Sequence, residues 1–314
     1  MGYKLKRRKK VKKRAELIDP LQKLEQIKRL GIIAMFSDDY LMERLTLKGG
    51  NAIDLVHKSP CRASLDLDFS MESEFEEDLD TIKDRIERAL KSTFGAEGYE
   101  VFDIIFSIRP PEQRLSPDMA DFWGGYRIEF KLIESDAHAK FADSLRNLRL
   151  HAVEVNLPLN KKKSFIIDIS KYEYCIPKER HNLDDYTIYV YTPEMIVIEK
   201  LRAICQQMPE YAKIVRTPSS SGRAKDFFDI YMIMTHFKID LMTEENNKLI
   251  KNIFNAKRVP IALIGRIYYY KDYHRPDFEA VRATVSSDIE LKGFDFYFDY
   301  VLKVCRGLKV LWEM

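Results

Sequence analysis

Asp66 and Asp68 stand two residues apart in Arg62-Ala63-Ser64-Leu65-Asp66-Leu67-Asp68-Phe69, a short run downstream of Lys48-Gly49-Gly50-Asn51. On an extended strand, Ser64, Asp66 and Asp68 point one way while Leu65, Leu67 and Phe69 point the other. Carboxylates held side by side repel each other and resist ionisation unless a cation sits between them. Mg²⁺, or Mn²⁺ in its place, is a hard ion that takes oxygen ligands and usually arrives with a phosphate-bearing substrate. The Gly49-Gly50 turn supplies backbone N–H groups that approach phosphate oxygens without a Cβ in the way. Together these residues predict metal-assisted nucleotidyl transfer.

Such a site usually wants a third carboxylate. Asp168 stands alone in the apolar run Phe165-Ile166-Ile167-Asp168-Ile169, where a central strand would not bury an unpaired charge without reason. Glu129 competes for the role, but it alternates with Arg127 and Lys131 and so reads as part of a solvated strand face. The plainer reading of Asp168 is an acid paired with a lysine or arginine. An Asp-x-Asp alone is weak evidence; its alternation with three apolar residues and the upstream glycines strengthen it. In IVIEKLRAI, Lys200 either reaches triphosphate oxygens as a point charge or merely snorkels. Asp226 and Asp229 share one helix face, and as first-turn acids they suit the helix dipole equally well.

The elements that must position these residues follow from periodicity. Pro20 opens a helix over LQKLEQIKRLGIIAMFSDDYLMERL, with apolar residues at threes and fours. A short strand, residues 45–47, leads into the glycine turn and a helical turn capped by Asn51. The carboxylate strand spans 62–69, and EFEEDLDTIKDRIERALKSTF forms a surface helix. Strands follow at 99–108, 126–133, 164–170 and 187–191, with a helix over AHAKFADSLRNLRL. From Pro193 onward the texture is helical, interrupted by the loop TPSSSG at 217–222. The order predicts an α+β fold: a mixed β-sheet with flanking helices, then an all-helical C-terminal domain. The boundaries fall at 1–19 (a basic arm), 20–192 and 193–314.

At 314 residues, 46% hydrophobic and 12% aromatic, the chain supports real cores rather than disorder. Residues 4–14 carry nine basic residues and no acid, so the chain's +3 conceals an acidic remainder. The arm reads either as a contact for nucleic acid phosphates or as a solubilising tail. No apolar stretch follows it as in a signal peptide, and no window is long enough to span a membrane. Four scattered cysteines, Cys61 among them, suit reduced thiols in a cytoplasmic protein. The basic-aromatic run Arg266–Arg275 offers rings for base stacking, although tyrosines in a helical tail are commonly core.

The series KGGNAI, RASLDLDF, IDIS, EKLRAI and RAKDFFDIY resembles the AbiEii/AbiGii-type nucleotidyltransferase toxins, within the DNA polymerase β-like superfamily. The resemblance spans residue 46 to about 235. It implies Gly49, Gly50 and Asn51 at the nucleotide phosphates, and Asp66, Asp68 and Asp168 on metal; Lys48 and Ser64, beside these motifs, are further candidates for nucleotide binding. It also implies Lys200 at the triphosphate and Asp226 with Asp229 in a late helical motif. Where the wider superfamily has Gly-Ser, this chain has Gly50-Asn51. The resemblance implies an NTP substrate, an RNA acceptor such as tRNA, a cognate antitoxin and a role in abortive infection against phage. Two other readings use the same residues or fewer. One is kinase-like transfer of the γ-phosphoryl group to protein or RNA. The other is a non-catalytic module that binds RNA or a partner through its arm and tyrosines. A haloacid-dehalogenase-type phosphatase ranks last, since Phe69-Ser70 follows where that motif needs Thr.

Overall fold

Apolar residues alternating with polar ones on short, widely separated segments zip into one seven-stranded sheet. The computed structural model describes residues 20–58, 66–156, 161–215, 221–285 and 289–313. The basic arm, Cys61, Ser64 and most of the 217–222 loop lie outside the described residues. The strands are β1 (Thr46–Lys48), β2 (Leu67–Ser70), β3 (Tyr99–Arg109), β4 (Gly125–Glu134), β5 (Phe165–Ser170), β6 (Lys178–Leu183) and β7 (Tyr186–Tyr191). They lie in the order β3-β4-β5-β2-β1-β7-β6. The sheet is mixed: β2 runs parallel to β5 and β1 parallel to β7, while the remaining neighbours are antiparallel.

One face of the sheet carries Leu47, Leu67, Phe69, Ile128, Phe130, Ile167 and Ile169, all buried. Helices α1 (Pro20–Phe36) and α2 (Leu79–Ala96) cover it, with Phe36 against Phe69 at 5.8 Å and Phe94 against Phe130 at 5.7 Å between ring centroids. Aromatic pairs at such separations add to the burial of apolar area. The opposite face turns toward the helices after residue 192. There Pro193 takes the first helical position of α3 (Pro193–Cys205), and the Thr192 hydroxyl accepts from the Met195 N–H at 3.3 Å. Helix α3 packs against α4 (Ala224–Phe237) and α5 (Glu244–Ala256), and α4 in turn against α6 (Phe294–Gly307). Every described element after Thr192 is helical.

The α+β class and the switch to helices therefore stand, with local corrections. The first long helix breaks at Ser37-Asp38, because the Asp38 carboxylate accepts from the Leu41 N–H and starts a new helix, Asp39–Arg44. The helix expected over residues 137–150 is likewise two pieces, Ser135–Phe141 and Leu145–Leu150, with Ser144 capping the second. Asn51 does not cap the turn after β1. The helical turn already begins at Gly49, whose φ of +73° lies in the left-handed region, and continues as a π turn over Ala52–Val56. Of the expected carboxylate strand, residues 62–65 lie outside the described residues; Asp66 sits in a bend and the strand runs over Leu67–Ser70.

Candidate active site

Register assembles the site. Lys48 on β1 lies opposite Asp68 on β2, Asp68 beside Asp168 on β5, and Asp168 opposite Arg127 on β4. Four charged residues thus form one row across four adjacent strands, the two acids flanked by a cation on each side. Neighbouring strands lie about 4.8 Å apart, so the row places its charges close enough to interact strongly. Gly49 must be glycine here: a Cβ would lie 2.8 Å from Asp68 Oδ2, and its backbone is left-handed. The Asn51 amide donates to the Asp66 carbonyl at 2.7 Å, which ties the glycine turn to the carboxylate segment.

The row opens into a cleft of about 620 Å³ between the sheet and the later helices. Lys48, Gly49, Gly50, Asp68, Asp168, Lys200 and Asp226 line it, whereas Asn51, Asp66, Asp229 and Glu129 are not among its lining residues. Seven cationic side chains and five anionic ones face this space, an excess that favours a polyanionic guest. Burial pushes the Asp68 carboxyl up to about 7; Lys48 opposes the shift, while Asp168, Glu199 and Asp66 add to it. Asp66 is also raised, mainly by burial, with Asp168 contributing. Asp168 is gripped by the Arg127 guanidinium through two 2.8 Å bonds. Among the described residues, the oxygens of Asp66, Asp68 and Asp168 do not all come within 4.8 Å of one another.

A second charged group forms the cleft floor. The Lys48 ammonium lies 2.6 Å from Glu199 and 3.7 Å from Glu173. Arg202 reaches Glu173 at 2.7 Å and Glu199 at 3.2 Å, and Lys257 lies 3.6 Å from Glu173. Burial alone would raise Glu173, but Arg202, Lys257 and Lys48 overcome it and hold the carboxyl far below the usual range. Burial lowers Lys257 to about 8. On the helical wall, the Lys200 ammonium contacts Asp229 at 2.6 Å and Asp226 at 3.2 Å. Asp226 and Asp229 are therefore ion partners of Lys200, with Asp229 fully buried.

Sequence reasoning missed Arg127, Glu173, Glu199, Arg202 and Lys257. The alternation Arg127-Ile128-Glu129-Phe130-Lys131 announced a charged strand face but not its partners. That face is ion-paired: Arg127 with Asp168, Lys131 with Asp103, and Glu129 3.8 Å from Arg109. Of the basic-aromatic run, Tyr268 and Tyr269 are exposed, whereas His274 is buried and Tyr270 bonds Glu210.

The model of the family described as nucleotidyl transferase AbiEii toxin, type IV toxin–antitoxin system, matches residues 32–300. The chain belongs to the AbiEii family. It is accordingly a nucleotidyltransferase of a toxin–antitoxin family. No curated protein sequence gives a match. Among solved structures, JHP933 from Helicobacter pylori shares 15% identity over 94% of this chain and 93% of its own, with a TM-score of 0.46. MenT4, a nucleotidyltransferase toxin from Mycobacterium tuberculosis H37Rv, shares 15% over 94% and 86%, with a TM-score of 0.45. Likenesses this distant add nothing to what the AbiEii match carries. Among the described residues of this AbiEii protein, no helix is long and apolar enough to cross a membrane.

Proposed function

We propose that the cleft binds an NTP with Mg²⁺ and transfers its nucleotidyl group to an RNA hydroxyl, tRNA being the favoured acceptor, and that a cognate antitoxin restrains it. The observation carrying this reading is the Lys48-Asp68-Asp168-Arg127 row beside a glycine turn that Asp68 itself keeps free of side chains. The donor set fits a hard cation. Asp68 and Asp66 offer carboxylate oxygens whose charged form burial disfavours, so a bound cation would relieve them. Asp168 retains lone pairs beyond the two that Arg127 occupies. Bound by these acids, Mg²⁺ would neutralise charge on the α-phosphate and lower the pKa of the attacking hydroxyl.

The chain's own residues do the rest. The backbone N–H groups at Gly49 and Gly50 face the phosphates. Lys200, positioned by Asp226 and Asp229, presents its charge at the cleft wall where pyrophosphate leaves. Arg127 sets the plane of the Asp168 carboxylate. In this reading residues 20–192 supply the transfer machinery and 193–314 the opposite wall, while the arm at 1–19 contacts the acceptor's phosphates.

Purified protein incubated with Mg²⁺, total RNA and NTPs labelled at the α or the γ position is the direct test. Retention of α label by RNA, lost in Asp68→Ala, is expected. Retention of γ label would mean phosphoryl transfer instead, and equal labelling by Asp68→Ala would overturn the assignment of the site.

A further inference from the structure

We propose that His57, Glu179 and His181 form a second cation site, separate from the transfer cleft and selective for a late first-row divalent ion, Zn²⁺ above all. Among the described residues, these three side chains bring one ligand atom each within 4.8 Å of one another. Glu179 and His181 project from the same face of edge strand β6, since they are two residues apart. His57 comes from the end of the π turn, where its N–H closes on the Ala52 carbonyl at 3.0 Å. None of the three lines the cleft.

The His57 ring is already oriented as a ligand. Its Nε2 lies 2.8 Å from the Tyr191 carbonyl, which only accepts, so Nε2 carries the proton and Nδ1 of the neutral ring offers a lone pair. That lone pair faces Glu179 Oε2 at 3.9 Å, too far for a hydrogen bond. Metal-bound histidines characteristically donate their other N–H to a backbone carbonyl or a carboxylate, which fixes tautomer and ring plane. On the other side, His181 Nε2 donates to the same Glu179 oxygen at 2.8 Å, a hydrogen bond that a bound ion would replace as the proton leaves or moves to Nδ1. Ligand atoms around tetrahedral zinc lie about 3.3 Å apart for bonds near 2.0 Å, and the observed 2.8 and 3.9 Å bracket that edge.

The donor set decides the ion. Two imidazoles and one carboxylate suit Zn²⁺, Co²⁺ or Ni²⁺, while Mg²⁺ prefers oxygen ligands and keeps its waters. Phe237 closes one side, edge-on to His57 at 5.9 Å, whereas Glu179 and His181 are 43% and 31% exposed and leave room for water as a fourth ligand. A bound ion would clamp the turn that follows Gly49-Gly50-Asn51 to the β6–β7 hairpin.

The test titrates metal-stripped, full-length protein with Zn²⁺ in excess Mg²⁺, read by calorimetry and by thermal unfolding. One Zn²⁺ per chain and a raised Tm are expected, with at least tenfold weaker binding in His181→Ala and in Glu179→Gln. These positions are partly exposed, so both variants should fold, unlike changes at buried His57. Asp68→Asn should bind Zn²⁺ as the wild type does. Co²⁺ in the same protein should give an optical spectrum without a thiolate charge-transfer band. No saturable Zn²⁺ binding, binding unchanged in the His181→Ala/Glu179→Gln double variant, or a thiolate band would each overturn the proposal. None of these outcomes depends on the transfer activity.

Discussion

Two clusters of charge share the cleft, and they have opposite electrostatics. In the floor, Glu173 and Glu199 are outnumbered by Lys48, Arg202 and Lys257, and Glu173 is held ionised far below the usual carboxylate range. On the sheet, burial pushes Asp68 up to about 7, Lys48 pulls it back, and Asp168, Glu199 and Asp66 add to the rise. The same chemical group thus titrates far apart at two places reached from one cleft. In the paired cluster each acid has at least two cations within 4 Å. The group around Asp68 is offset less fully, and a carboxylate perturbed in this way in a cleft marks a candidate functional site.

The sharpest way to break this contrast is to unbalance the floor. Glu173→Gln leaves Arg202 and Lys257 buried without their main counter-charge, and should cost about 3–5 kcal/mol in urea unfolding. A smaller loss would mean that the floor is less completely paired than the distances indicate. Asp68→Asn should do the reverse. Transfer activity should fall by about a hundredfold or more in the labelled-NTP assay. Metal-free protein at pH 8 should meanwhile gain roughly 1–3 kcal/mol, because an ionised carboxylate no longer has to be buried there.

The sign of the pH dependence follows directly. With its folded pKa raised from 3.8 to about 7, Asp68 binds more protons in the folded state than in the unfolded chain across that window. Its contribution to stability is therefore fully present below pH 4 and is lost as pH rises through 7. Metal binding at pH 6 should release a proton that is no longer released at pH 8, measurable by calorimetry in buffers of differing ionisation enthalpy. Pairing in the floor has the opposite dependence, since Glu173 stabilises at neutral pH and gives way only in strong acid. The smallest expected effect is at Gly49→Ala. Its left-handed backbone and the approach to Asp68 should cost about 1–2 kcal/mol and displace the carboxylate, seen as reduced transfer at nearly unchanged RNA affinity.

Much of this was legible in the sequence because it is local. The glycine turn, the Asp-x-Asp alternation, the isolated acid of β5 and the helical texture after Pro193 all announce themselves within a few residues. What escaped depends on register between distant segments. Nothing near Asp168 names Arg127 as its partner, because the pairing of β4 with β5 is decided by the whole sheet. Strand β6, Lys-Glu-Arg-His-Asn-Leu, was invisible for a different reason: as an edge strand it carries charge where an inner strand carries apolar residues. Its two metal-binding residue types went unnoticed with it. Asn51 looked like a cap from its neighbours alone, yet its amide is used across the chain on Asp66.

The parallel seam between β2 and β5 has one more consequence. It joins residues 67–70 to residues 165–170, and β5 fills the gap between β2 and β4. Sliding that seam by a single position would swing Asp68 or Asp168 into the oily layer under α1 and α2 and bring isoleucine to the surface. Ribosomal synthesis must therefore pass residue 170 and the strands must zip in the one correct alignment before both acids stand side by side. An unfinished or mis-threaded polypeptide lacks the paired acids altogether.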